Sequence, residues 1–102
     1  NIQESGNFIE GRMNGVWSFW DSLGELIENG EYKNGRPVGE HNGWYSSGGR
    51  KWKMNYQFGK LHGLYISWYE NGQPEKSGDY KNGIKDGIWN YWNEDGKKIN
   101  IK

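Results

Sequence analysis

Aromatic and glycine positions recur along this chain with a fixed step of 24 residues, and polar residues fill the positions between them. The stretch Gly78–Gly96 reads GDYKNGIKDGIWNYWNEDG. Stepping back by 24, Tyr80 becomes Tyr56, Tyr32 and Phe8, and Gly87 becomes Gly63, Gly39 and Gly15. Trp92 likewise becomes Trp68, Trp44 and Trp20, with no insertion or deletion from Gly6 onward. A period of this length marks a repeat architecture. Four copies fit, at about 6–29, 30–53, 54–77 and 78–101, in one domain spanning residues 1–102. Within a copy no segment has a helical period, and the chain has no alanine. Two short strands are predicted instead, typified by Pro74–Lys81 and Gly87–Asn93. A tight multi-residue loop such as Asn34–Gly39 joins them, and a two-residue turn such as Leu23-Gly24 or Asp95-Gly96 closes the copy. The reading is all-β, a run of antiparallel hairpins.

The two-residue turn fixes a register that side-chain volume can check. With Leu23-Gly24 as the loop, opposite residues sum to 47, which sets Trp17 against Gly30 and Gly15 against Tyr32. The same rule, advanced by 48, sets Tyr65 against Gly78 and Gly63 against Tyr80. The second copy departs in a compensating way. His41 stands where the first copy has Trp17, and it faces Met54 in place of a glycine. Gly43 stands where the first copy has Phe19, and it faces Trp52. Rings lying flat over glycines would form a ladder on one face, built from Phe8, Gly15, Trp17, Gly30, Tyr32, Gly39, His41, Gly43, Trp52, Met54, Tyr56, Gly63, Tyr65, Gly78, Tyr80 and Trp89. Cross-strand pairs of this kind contribute about 0.2–1 kcal/mol each.

Alternation puts the remaining residues on the reverse face, which is polar except for two rows. One row is Val16, Glu40, Leu64 and Ile88; the other is Trp20, Trp44, Trp68 and Trp92. The second row, with Tyr45 and Tyr69, is a candidate partner-binding surface, because aromatics on the uncovered side of a thin sheet stay exposed. A bulge that turned this row onto the ladder face would bury it instead.

Composition agrees with an aromatic core. Leu, Ile, Val and Phe together number 17 of 102 residues, while seven Trp and seven Tyr supply the missing apolar area. Thirteen basic residues balance 13 acidic ones, so neither disorder nor nucleic-acid binding is indicated. The apolar runs are all shorter than a membrane helix. The absence of cysteine removes thiol chemistry and leaves the compartment open. The chain starts at Asn1 without Met, which suggests a trimmed or processed form.

Chemistry-bearing groups are few. His41 and His62 lack partners at ligand spacing, so no metal site and no general base is expected. Glu70, Glu94 and Asp95 sit beside turns, where acidic residues are common for conformational reasons. Neither a catalytic residue nor a cofactor is expected. Arg12, Arg36, Lys60 and Lys85 occupy successive loops and would line one rim, a candidate site for anions or phospholipid headgroups. The terminal stretch Lys97–Lys102 reads as one more first strand without its partner, so pairing between chain ends is a further candidate.

The run YKNGIKDGIWNYWNEDG, with YKNGRPVGE and YENGQ, resembles the MORN repeat, and more closely the bacterial variant of YwqK-like antitoxin proteins. The resemblance implies a single-layer, elongated and twisted sheet that serves as a non-catalytic platform for protein or lipid. Copy two departs from the repeat at His41 and Gly43. In copy three Phe58-Gly59 replaces the expected Asn-Gly. Three functions are carried forward: a protein-interaction scaffold of antitoxin type, a peripheral phospholipid binder, and a module for choline or cell-wall glycan.

Overall fold

Two kinds of turn alternate along the chain and set the register of everything between them. A computed structural model describes residues 3–99. Among them the secondary structure consists of strands and turns only. The strands are β1 (Gln3–Ile9), β2 (Arg12–Trp20), β3 (Leu26–Lys33), β4 (Arg36–Trp44), β5 (Arg50–Gln57), β6 (Lys60–Leu61), β7 (Gly63–Trp68), β8 (Pro74–Lys81), β9 (Ile84–Trp92) and β10 (Lys98–Ile99). They form one antiparallel sheet in chain order, with β6 and β7 two parts of one interrupted strand beside β5. The molecule measures 47 × 34 × 15 Å, the thickness of a single layer. Of the terminal strand expected over Lys97–Lys102, only Lys98–Ile99 is seen, and Asn100–Lys102 lie outside the described residues.

The two turns are exchanged relative to the sequence expectation. The two-residue turns are Glu10-Gly11, Asn34-Gly35, Phe58-Gly59 and Asn82-Gly83, each with both residues at positive φ. That is the type I′ geometry whose twist matches paired strands. The strand therefore resumes at once, and β9 begins at Ile84 rather than Gly87. The other turn has three residues. At its first occurrence the Asp21 N–H donates to the Glu25 carbonyl at 2.9 Å, and the Gly24 N–H donates to the Asp21 carbonyl at 3.0 Å. A one-residue shift in pairing follows between Phe19 and Trp20 and leaves Ile27 as the extra residue on β3. This bulge restores the register that a two-residue loop would have given. Trp17 lies opposite Gly30, Gly15 opposite Tyr32, and Gly43 opposite Trp52.

Gly15, Gly39, Gly63 and Gly87 have a different task from ending a loop. Along β4 the pairing to β3 passes from Gly30↔His41 directly to Glu31↔Val38, so Gly39 and Glu40 are looped out on that side. The positive φ at Gly39 (65°) makes the detour accessible at low strain. On its other side β4 pairs without a break, Gly39 with Tyr56 and Glu40 with Asn55. Around its glycine each such strand is thus bulged toward the preceding strand and regular toward the following one, whose own bulge comes later, at the tryptophan.

The ladder rings lie over glycines of the preceding strand; for Trp52 that is Gly43, the partner expected, but for Trp17 it is the other neighbour from the one expected. A β-carbon added at Gly30 would meet the His41 ring at 2.0 Å, and one at Gly78 would meet Trp89 at 2.3 Å. The Trp17 ring likewise covers Gly6 rather than Gly30, the residue opposite it on β3. The register names which residues face each other; the side-chain torsion decides which strand the ring leans across. The choice lets each ring nitrogen bond a carbonyl on that strand. Trp17 Nε1 donates to Asn7 O at 3.1 Å, and Trp89 Nε1 donates to Asp79 O at 3.0 Å. His41 Nε2 sits 2.9 Å from Glu31 O, and because a carbonyl only accepts, the Nε2-protonated tautomer is required. The row continues edge to face through Tyr32, His41 and Tyr56 at 5.2 and 5.0 Å, and through Tyr80 and Trp89 at 5.0 Å. Trp52 covers Gly43 and pairs with Ser67, two small residues that make room for it.

Candidate functional site

The ladder face is paved by its own rings, with Trp17 and His41 buried, Phe8 62% exposed and the others half-buried. The reverse face and the two long edges where the turns collect are the rest of the surface that can meet a partner. The bulge decides the first of these. Val16, Leu64 and Ile88 each follow a bulge glycine, and they are 63%, 48% and 87% exposed. Glu40 completes the row, and its carboxylate is 3.1 Å from Lys53 Nζ. The hydrogen bond from Lys53, with another from Asn42, holds the Glu40 carboxyl below the usual carboxylate range.

The tryptophan row is less open than the sequence suggested. Trp20, Trp44 and Trp92 are half-buried and Trp68 is only 8% exposed. The bulges do not turn the row over, because the extra residue falls on the facing strand and not on the strand that carries the tryptophan. Covering comes from neighbours on the same face: Trp68 pairs with Pro74, and the Arg50 guanidinium lies 4.2 Å from its ring centre. Tyr45 and Tyr69 are also engaged. Their hydroxyls donate to Trp68 O at 2.7 Å and Trp92 O at 2.8 Å, each stitching one copy to the next. At the corresponding first position Asp21 accepts from the Leu23 and Glu25 N–H groups and from Ser46. The backbone bond from Glu25 is the largest cause of its lowered pKa.

The edges differ in charge. The edge of two-residue turns, residues 9–14, 33–38, 57–62 and 81–86, carries six cations (Arg12, Lys33, Arg36, Lys60, Lys81, Lys85) against two acids (Glu10, Asp86). The opposite edge, residues 20–27, 44–51, 68–75 and 92–99, carries six acids (Asp21, Glu25, Glu70, Glu75, Glu94, Asp95) against four cations (Arg50, Lys51, Lys97, Lys98). Zero net charge therefore conceals a sheet polarised from one long edge to the other. A shallow 480 Å³ concavity near the acidic edge is lined by Asp21, Glu28 and Glu70 with Lys51 among them.

Three of the four rim cations stay together. Arg12 lies against Gly35, Arg36 against Gly59 and Lys60 against Gly83, each over the next copy's turn. Lys85 leaves the row. Its ammonium donates to the Tyr91 hydroxyl at 2.9 Å and lies 4.6 Å from the Trp89 ring centre, and the bond to Tyr91 leads the causes that raise its pKa. The next position in the period of Arg12, Arg36 and Lys60 is Ile84, which is why the fourth cation is missing. Across the first three two-residue turns Arg12, Lys33 and Arg36 line a concavity of about 590 Å³ with Val38, Tyr56 and Phe58. Lys33 and Phe58 were not singled out from sequence as site residues. Phe58 in the place of an asparagine was the available signal. His62 caps a turn, its Nδ1 3.4 Å from the Asn82 backbone nitrogen. Among the described residues no group of three or more His, Cys, Asp and Glu is placed to hold a metal.

Residues 13–34 and 61–82 match the MORN repeat variant. The two segments are two periods apart, and the unmatched interval between them holds the departures at His41, Gly43 and Phe58. Repeats of this kind are commonly interaction scaffolds for proteins or membranes. No curated protein matches the chain.

Proposed function

We propose that this chain is a non-catalytic scaffold that holds a protein partner across its reverse face. The observation that carries the reading is the row Val16, Leu64 and Ile88, pushed outward by bulges that the fold maintains with a glycine in every copy. Copies lie two strands apart, so Leu64 and Ile88 are about 9–10 Å apart and Val16 lies about 19 Å from Leu64 across Glu40, a row suited to a partner lying across the strands. Apolar side chains at such exposure add little to the fold, and a partner that desolvates them gains roughly 25 cal/mol per Å² covered. The narrower form of this reading, neutralisation of a toxin, rests on the resemblance of the repeat alone.

The test is capture from the source cell, purification of the captured protein, and titration calorimetry. Leu64→Asp with Ile88→Asp is expected to weaken binding at least tenfold while circular dichroism and the thermal midpoint stay unchanged. These positions are better probes than Trp44 and Trp68, because Trp68 is buried and its loss would disturb the sheet itself. Binding that survives the double substitution would remove this face from consideration. A second reading is favoured by the charge polarity: the basic edge would meet an anionic membrane surface. Flotation with phosphatidylserine vesicles that Arg36→Glu with Lys60→Glu abolishes, alongside an intact protein complex, would support that use of the edge.

A further inference from the structure

We propose that the concavity across the first three two-residue turns is a binding site for a small phosphate monoester carried on a flat apolar group. Three features meet there, and each is unfavourable for the fold alone. Lys33 and Arg36 are directly opposite across β3 and β4, and like charges in that relation repel. At the equivalent turns the opposite pairs are Ile9 with Arg12, Gln57 with Lys60, and Lys81 with Ile84, so only this pair doubles the charge. Arg12, on the strand before, adds a third cation, and no acidic residue lines the concavity. Among the described residues the one ion pair is Lys53 with Glu40, so all three cations are free of one.

The third feature is Phe58. It occupies the left-handed position of its turn at φ 53°, where the other copies place Glu10, Asn34 and Asn82. Asparagine tolerates that conformation and a bulky aromatic does not. Nor does the fold recover the strain by burying the ring, which is 82% exposed at the rim of the concavity. Strain maintained without a packing gain is the mark of a site kept for a ligand.

One ligand relieves all three. A phosphate monoester dianion takes bidentate hydrogen bonds from arginine forks and neutralises the opposed Lys33–Arg36 pair. Its organic part then lies against the Phe58 ring. The volume, about 590 Å³, falls in the range of small-molecule sites.

The experiment follows amide resonances of the full chain during titration with phenyl phosphate and, separately, inorganic phosphate. Saturable shifts at Lys33, Arg36 and Phe58 are expected, with phenyl phosphate at least fivefold tighter. Arg36→Gln should weaken both at least tenfold. Phe58→Asn relieves the strained turn, so its thermal midpoint should rise, and it should bring phenyl phosphate down to the affinity of inorganic phosphate. The proposal is overturned by unsaturable or scattered shifts, by Arg36→Gln binding as the parent does, or by an affinity ratio that Phe58→Asn leaves alone. Phosphatidylserine vesicles bound without any response to phenyl phosphate would also overturn it while leaving the membrane reading of the edge intact. Neither result bears on the reverse-face scaffold.

Discussion

Trp17 and Trp20 lie three residues apart on β2 and point to opposite sides of one sheet. Trp17 is 3% exposed, its ring over Gly6 and its Nε1 bonded to a carbonyl. Trp20 is half-buried, with no glycine beneath its ring. The difference teaches how a protein one layer thick keeps its shape. A sheet with no second layer to pack against uses its own backbone as the second surface, and glycine is what allows a ring to reach it. The reverse face has no such device. Its bulges do the opposite and push Val16, Leu64 and Ile88 out. The ring-over-glycine packing is confined to one side, and the other side holds itself together only locally, as at Trp68.

If that division is right, the largest loss comes from adding a single methyl group beneath a ladder ring. At Gly78 an added β-carbon would sit 2.3 Å from Trp89, whose ring is held by the bond to Asp79 and cannot move aside without breaking it. Gly78→Ala is expected to destabilise by about 3 kcal/mol in urea titration, the upper part of the overpacking range. Gly87→Ala is the control. That position has open space around it and φ 71°, so only the left-handed backbone term of roughly 1–2 kcal/mol applies. Equal losses at the two sites would mean that the rings are not what holds the sheet.

The second copy offers a sharper test, since the ladder changes composition there without changing form. His41 lies over Gly30 and opposite Met54, where the first copy has Trp17 over Gly6 and opposite Gly30. His41→Trp alone should overpack against Met54 and destabilise by about 1–3 kcal/mol. Adding Met54→Gly should recover most of it, with a coupling energy of at least 1 kcal/mol in the double-mutant cycle. Additive losses would show that the two positions answer to separate surroundings.

Part of this was legible in the sequence. Volume exchange between His41 and Met54, and between Gly43 and Trp52, identifies opposite partners without coordinates, because a wrong register would not pair two such departures. The turns were harder. Asn-Gly opens the two-residue turn at Asn34-Gly35, yet Asn71-Gly72 closes a three-residue one, since both place glycine in the left-handed region. The bulge at Ile27 then hides the error by restoring the sum. The strand a ring leans toward is a torsion, which spacing does not encode. Whether Trp68 is exposed stays open in the sequence for a related reason: Pro74 and Arg50 cover it from its own face, and alternation alone gives only the face. Charge polarity needs the turns to be assigned to edges first, so a neutral total concealed it.

The gentlest way to probe the ladder is to charge it. Tyr32, Tyr56 and Tyr65 all have pKa values raised above the ordinary 10.0, with burial the largest cause in each. The native state therefore holds these phenol protons more tightly than the unfolded chain does. The stability they contribute is complete below pH 10 and is lost as pH rises through their higher folded values. Equilibrium unfolding should show no slope from this source between pH 7 and 9 and a progressive fall beyond 10. Replacing Tyr65 by Phe removes one ladder phenol and keeps its ring, so the alkaline fall should become shallower while stability at neutral pH changes little. A fall of unchanged steepness in Tyr65→Phe would place the alkaline sensitivity elsewhere. Tyr45 and Tyr69, whose hydroxyls tie the copies together at the acidic edge and whose pKa values are also raised, would then be the groups to substitute. In that event the edge, and not the ladder face, would be the first part of the sheet to yield.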